Sequence, residues 1–144
     1  MARAKVRKDH LGVDTNVLVA YLDADHPAHG RTTRLQDEAV ALNPTIIHEA
    51  YHTLVYKMKW VPHDASRVLV EAMSDERTLF VNQTLRTTKA GLRIALDYGL
   101  GGRDSLILAN LLTAGIRGVV TLDGELIALG RVRHGRATLN ISSL

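Results

Sequence analysis

Short apolar segments alternate along this chain with longer stretches of helical periodicity, and this alternation constrains the fold more than any other feature. The short segments lie near residues 10–14, 39–42, 78–82, 118–123 and 137–142, and their β-branched or apolar composition is typical of strands. The stretches between them repeat apolar residues at helical intervals. Strands that alternate with helices favour a parallel sheet covered on both faces. We therefore expect a three-layer α/β/α domain with a parallel sheet of roughly five strands.

Capping residues predict where several helices begin and end. Asn43-Pro44 supplies a cap and a first-turn residue, and Pro62 starts a further helix. Residues 84–98 hold another helix, which the following glycines end. The segment 105–114 is apolar almost all round, which is typical of a helix buried between layers.

Length and composition indicate one ordinary globular domain. The chain has 144 residues, of which 46% are hydrophobic and 23% charged, so a single domain over residues 1–144 with a basic tail at 1–9 is expected. No apolar run approaches the ~20 residues that span a bilayer, and the first ten residues lack the apolar stretch of a signal peptide. Cysteine is absent, which excludes disulfides and thiolate metal sites. We expect a cytoplasmic protein with no membrane contact.

The excess of positive charge is small but unevenly distributed. Lys and Arg number 18 against 15 Asp and Glu, and basic residues cluster at 3–8 and at 131–136. Positive ends around an acidic centre would suit a polyanion held near bound cations. A solvated tail and a solvated loop explain each cluster equally well when it is taken alone.

Four acidic residues stand where an apolar run stops or a helix starts: Asp14, Glu49, Asp104 and Asp123. Each has a simpler explanation as a helix cap, a first-turn acid, a turn residue or a water-facing side chain. Together they favour a metal site, because carboxylates brought to one edge of a sheet repel one another unless a cation holds them. Hard divalent ions such as Mg²⁺ and Mn²⁺ prefer such oxygen ligands.

The residues around these acids resemble a known family. Asp-Thr-Asn-Val-Leu-Val at 14–19, the glutamate at 49, Arg-Asp-Ser-Leu-Ile-Leu-Ala at 103–109 and Val-Thr-Leu-Asp at 120–123 occur in the order found in PIN-domain ribonucleases. The chain is most similar to the branch of VapC-type toxins, and the resemblance extends from about residue 10 to the end. Its more specific parts are the Asp-Thr-Asn and Thr-x-Asp motifs.

The resemblance implies a Mg²⁺- or Mn²⁺-dependent endonuclease that cleaves single-stranded RNA. The four acids would be the catalytic residues and metal ligands, and Asn16 and Thr121 would be polar supports of the site. Relatives of the toxin type work as homodimers and are silenced by an antitoxin protein, and the apolar face of residues 62–73 is available for self-association. Arg103, or the basic loop with Arg131 and Arg133, is a candidate to hold the RNA phosphates.

Three features of the sequence depart from the family pattern. The basic tail is longer than in many members. Glu125 replaces a further aspartate that some relatives have, and Gly102-Arg103 precedes the third acid where an apolar or aromatic residue is more usual. The last change leaves metal binding intact but alters the side chain next to the substrate.

Two alternatives stay open. His48-Glu49-Ala50-Tyr51-His52 spells the H-E-x-x-H signature of zinc metalloproteases, with Glu71 as a conceivable third ligand. This motif is short enough to arise by chance and accounts for none of the three aspartates. The second alternative is a non-catalytic RNA-binding domain of the same fold.

Overall fold

The computed structural model describes residues 9–144, so the expected basic tail lies almost wholly outside the described residues. The described residues form one sheet of six strands in the order β3-β2-β1-β4-β6-β5. The strands are β1 (Leu11–Val13), β2 (Val40–Leu42), β3 (Leu79–Phe80), β4 (Gly118–Thr121), β5 (Arg131–His134) and β6 (Ala137–Ser143). All neighbours run parallel except β5, which pairs antiparallel with β6.

Helices flank this sheet and complete the three-layer α/β/α fold that the sequence predicts. They are α1 (Thr15–Leu22), α2 (Pro44–His52), α3 (Pro62–Ser74), α4 (Leu85–Tyr98), α5 (Gly102–Thr113) and α6 (Gly124–Leu129). A 3-10 helix covers His29–Asp37, and a π-helix covers Thr53–Lys57 directly after α2. Within residues 9–144 no helix has both the length and the apolar character that crossing a membrane requires.

The sheet differs from the expected one at its β5 edge. The expectation of roughly five parallel strands missed β5, because the charges of residues 131–136 suggested a loop. In the structure Val132 is fully buried while Arg131 and Arg133 on either side of it are exposed. This alternation is the period of a strand with one face in the core. Burial of Val132 therefore adds the segment to the sheet despite its charge.

Local capping explains the helix boundaries near the site. The Asn43 side chain accepts a hydrogen bond from the Ile46 N–H at 3.0 Å and so caps α2. Helix α4 ends at Gly99, whose φ of 66° is the left-handed conformation that glycine adopts without strain. Helix α5 begins at Gly102, earlier than the predicted segment, so Asp104 lies in its first turn.

The strand order reverses between β1 and β4. After β1 the chain moves outward to β2 and β3, and it then returns to β4 on the other side of β1. The register pairs Val13 with Val120, so the carboxyl ends of both strands lie level with each other. In open α/β sheets this is the crevice where ligands bind.

Candidate metal centre

All four acids that the sequence singles out line one cavity at the carboxyl edge of the sheet. Asp14 follows β1 and Asp123 follows β4, while Glu49 comes from α2 and Asp104 from the first turn of α5. Segments that are far apart in sequence thus bring four carboxyl groups to one cavity.

Hydrogen bonds fix Asp14 in a single position. Its carboxylate accepts the Thr15 N–H at 2.8 Å and the Thr121 hydroxyl at 2.8 Å, and the side chain is buried. The Thr121 hydroxyl also accepts the Asn16 amide at 3.3 Å and the Asp123 N–H at 3.0 Å. The side-chain amide oxygen of Asn16 accepts the Leu122 N–H at 3.0 Å. Through these hydrogen bonds, Thr121 and Asn16 connect the end of β4 to the start of α1 next to the acids.

The other acids have different partners. Glu49 accepts a hydrogen bond from the Thr15 hydroxyl at 2.8 Å and forms an ion pair with the Arg103 guanidinium at 3.2 Å. The Glu49 side chain is 21% exposed and that of Arg103 is 80% exposed, so the pair lies close to solvent. Asp123 accepts the Glu125 N–H at 2.9 Å and caps α6.

Burial and mutual repulsion make two of the acids hold their protons more tightly. The pKa of Asp14 is raised, chiefly by burial and further by the charges of Asp104 and Glu49, although its hydrogen bonds act in the opposite direction. The pKa of Asp104 is raised by burial first and then by the charges of Asp123 and Glu49. Glu125 also raises the pKa of Asp104, so its charge acts on the site although its carboxylate does not line the cavity.

The donor chemistry of this cavity fits a hard divalent cation. Such ions prefer carboxylate oxygens, and a cation would relieve the repulsion that raises the pKa values of Asp14 and Asp104. Among residues 9–144, however, no group of three or more His, Asp or Glu side chains has the geometry to hold an ion as it stands. In this arrangement one oxygen of Glu49 contacts Thr15 and the other contacts Arg103.

Of the three arginines expected to hold RNA, only Arg103 lies beside the acids, in an adjoining cavity that Glu49 and Asp104 also line. Across the sheet, Thr121 pairs with Ser143 and Arg133 pairs with Thr138, which is five residues earlier on β6. At about 3.3 Å per residue this places Arg133 about 17 Å back along the strands from the acidic edge. Arg131, which pairs with Asn140, lies about 10 Å back by the same measure.

Lys57 also lines the cavity of the four acids, although the sequence did not indicate it as a site residue. This exposed residue ends the π-helix and lines the cavity together with Glu49 and Asp104. A π-helix leaves no clear pattern in a single sequence, so the orientation of Lys57 could not be predicted.

Within residues 9–144, the H-E-x-x-H segment is not arranged as a zinc site. His48 and His52 are exposed, and the His52 ring packs against Tyr56 at a centroid distance of 5.0 Å. Glu49 contacts Thr15 and Arg103 instead. Glu71, the conceivable third ligand, lies on α3 in an exposed ion pair with a neighbouring arginine at 3.1 Å.

Comparison with known proteins identifies the family. The model of the PIN domain matches residues 12–132, which is most of the chain and includes all four acids. The chain therefore belongs to the PIN domain family. No curated protein sequence matches it.

Solved structures with the same fold include proteins of toxin–antitoxin systems. The toxin VapC20 of Mycobacterium tuberculosis, described as cleaving the sarcin–ricin loop, matches with a TM-score of 0.72 and 19% identity over 85% of this chain and 96% of its own. VapBC2 from Rickettsia felis, bound to a promoter DNA fragment, has a TM-score of 0.66 and 12% identity over 93% and 98% of the two chains. FitAcB from Neisseria gonorrhoeae has a TM-score of 0.51 and 19% identity over 78% and 87%. At these identities the likeness shows the fold.

Proposed function

We propose that this protein is a divalent-metal-dependent endoribonuclease that cleaves single-stranded RNA, and that it is the toxin of a toxin–antitoxin pair. The observation that carries the proposal is the convergence of Asp14, Glu49, Asp104 and Asp123 on one cavity at the strand-order reversal. Membership of the PIN domain family and the likeness to VapC20 and VapBC2 support it.

The four acids would hold Mg²⁺ or Mn²⁺. When bound, the ion lowers the pKa of a water molecule and neutralises charge that develops on the phosphate. Asp14 presents its carboxylate in a fixed orientation because Thr121 and Thr15 hold it. Asp104 and Asp123 complete the negative charge of the cavity. Glu49 gives up its contact with Arg103, and it then either joins the ligands or orients the attacking water.

The substrate would be held mainly by charge. Aromatic residues make up only 4% of the chain, so few rings are available to stack on bases. Once Glu49 has released it, the Arg103 guanidinium can bind the scissile phosphate with two parallel hydrogen bonds. Arg131 and Arg133 would contact RNA nucleotides further from the cleaved bond.

The toxin role adds partners to the proposal. We infer that a small antitoxin protein covers the cavity, in keeping with the toxin–antitoxin complexes among the similar structures. We also infer a homodimer in the cytoplasm. The face of residues 62–73 offers less apolar surface for it than the sequence suggests, because Ala65 and Leu69 are buried in the core of the same chain. Among residues 9–144, the most exposed large apolar side chains lie on α4 and are those of Leu85, Leu92 and Leu96.

Cleavage of a fluorescent single-stranded oligoribonucleotide tests the activity. We expect cleavage with Mn²⁺ or Mg²⁺, none with a chelator, and a loss of at least about a hundredfold in Asp14→Asn and Asp104→Asn. The double variant His48→Ala/His52→Ala is the matched control and should cleave normally. The opposite pattern would support the zinc site.

Absence of cleavage at saturating metal would refute the proposal and favour a non-catalytic RNA-binding domain. Sedimentation tests the dimer separately, because a monomer at micromolar concentration would exclude it.

A further inference from the structure

The π-helix after α2 sets the direction of Lys57. The Met58 N–H donates to the Thr53 carbonyl at 3.0 Å, a bond across five residues in place of the four of an α-helix. The Trp60 N–H then bonds to the Leu54 carbonyl at 2.9 Å. Such widened turns occur often at functional sites.

The wider turn keeps Lys57 on the side of the helix that carries Glu49. In a regular α-helix Lys57, eight residues after Glu49, would be rotated by about 80° from it. A π turn advances less per residue, which brings Lys57 back toward the direction of Glu49 and Thr53. All three side chains line the same cavity beside Asp104.

Two cations lie beside the acids, and their surroundings differ: Lys57 lines the cavity of the four acids, while Arg103 lines an adjoining cavity. The Arg103 guanidinium pairs with Glu49. The Lys57 ammonium has no hydrogen-bond or ion-pair partner among the residues that the structure describes, although four carboxyl groups line the same cavity. A cavity of four carboxylates repels a phosphate, and an unpaired ammonium at its wall offsets that repulsion.

We propose that Lys57 binds a backbone phosphate of the RNA strand in the acidic cavity. The inference rests on the proposed ribonuclease function and adds a substrate-binding residue to it. The ammonium acts as a point charge on a phosphate oxygen, so its contribution is independent of base sequence. The π-helix is the structural element that places it there.

Binding of a labelled single-stranded oligoribonucleotide tests this role without cleavage. Fluorescence anisotropy is measured with a chelator present, over a series of salt concentrations, for the unmodified chain and for Lys57→Gln, Lys57→Arg and Lys89→Gln. Lys89 is an exposed lysine of α4 that lines none of the site cavities, so Lys89→Gln is the matched control. Steady-state cleavage with Mn²⁺ is measured on the same four proteins.

In Lys57→Gln we expect affinity to fall by up to about fivefold, as for an exposed ion pair. The slope of log affinity against log salt should decrease in magnitude by about 0.7, which corresponds to one lost phosphate contact with a single strand. KM should rise with little change in kcat, and Lys57→Arg and Lys89→Gln should both match the unmodified chain.

Equal affinity, salt slope and KM for Lys57→Gln and Lys89→Gln would overturn the inference, as would the absence of RNA binding by the unmodified chain at the lowest salt. If the unmodified chain binds RNA but never cleaves it, the nuclease proposal fails. The affinity comparison would still decide the role of Lys57.

Discussion

Replacing Asp104 by asparagine should abolish metal-dependent activity and stabilise the metal-free protein. Asp104 repels four acids, Asp14, Asp123, Glu49 and Glu125, and is attracted by Arg103. Three repulsions are thus left uncompensated. At about 0.5 kcal/mol for each partly exposed pair, they destabilise the fold by about 1.5 kcal/mol. Burial, the largest cause of the raised pKa, adds to this penalty.

The loss of stability that the charged Asp104 carboxylate causes depends on pH. The unfolded chain has the ordinary aspartate pKa of 3.8, while the pKa of Asp104 in the folded protein is raised. Below pH 3.8 both states are protonated and the penalty is absent. As the pH rises through the folded-state pKa, the carboxyl group loses its proton and the penalty develops in full.

Thermal unfolding of the metal-free protein at pH 7.5 measures the effect. A gain of about 1.5 kcal/mol corresponds to a Tm about 5 °C higher for Asp104→Asn in a chain of this size. The difference should shrink as the pH is lowered. Glu76→Gln, which neutralises an exposed acid outside the cavity, should leave the Tm unchanged.

Adding Mn²⁺ should reverse the order of the Tm values, so that the unmodified chain melts at a higher temperature than Asp104→Asn. An ion at one hundred times its Kd stabilises the protein that binds it by about 2.7 kcal/mol. The unmodified chain should gain this stability and Asp104→Asn should gain little. A metal-free Asp104→Asn protein that melts at or below the temperature of the unmodified chain would refute the reasoning.

Three further substitutions test individual contacts. Thr121→Val leaves the buried carboxylate of Asp14 without its hydroxyl donor, so urea unfolding should show a loss of about 2 kcal/mol; an unchanged midpoint would contradict this role. Arg103→Gln removes a cation from Glu49, and calorimetry should show Mn²⁺ binding up to about fivefold tighter; weaker binding would mean that Arg103 supports the metal site. Gly12→Ala places a Cβ 2.7 Å from a core leucine side chain. Denaturation should show that the free energy of unfolding falls by about 1–3 kcal/mol. An unchanged free energy of unfolding would show that the leucine side chain moves aside without cost.

Much of the fold could be predicted because its signals are local. The alternation of strands and helices, the cap at Asn43 and the helix end at Gly99 each depend on a few neighbouring residues. The placement of Asp14 and Asp123 at one edge follows from parallel strands that each end in an acid. These features need no knowledge of distant contacts.

The remaining features depend on tertiary packing. Strand β5 forms because Val132 is buried against the core, and its flanking arginines concealed that signal. Sequence alone could not show that Glu49 contacts Thr15 and Arg103, since these partners come from two other helices. The π-helix that carries Lys57 also gave no signal in the sequence.

Diffraction from crystals soaked in Mn²⁺ would locate the ion directly through its anomalous signal. We expect one or two peaks in contact with carboxylate oxygens of Asp14, Asp104 and Asp123, with Glu49 turned away from Arg103. A peak bound instead by His48 and His52, or no peak at the carboxyl edge of the sheet at millimolar Mn²⁺, would contradict the assignment of the four acids as metal ligands.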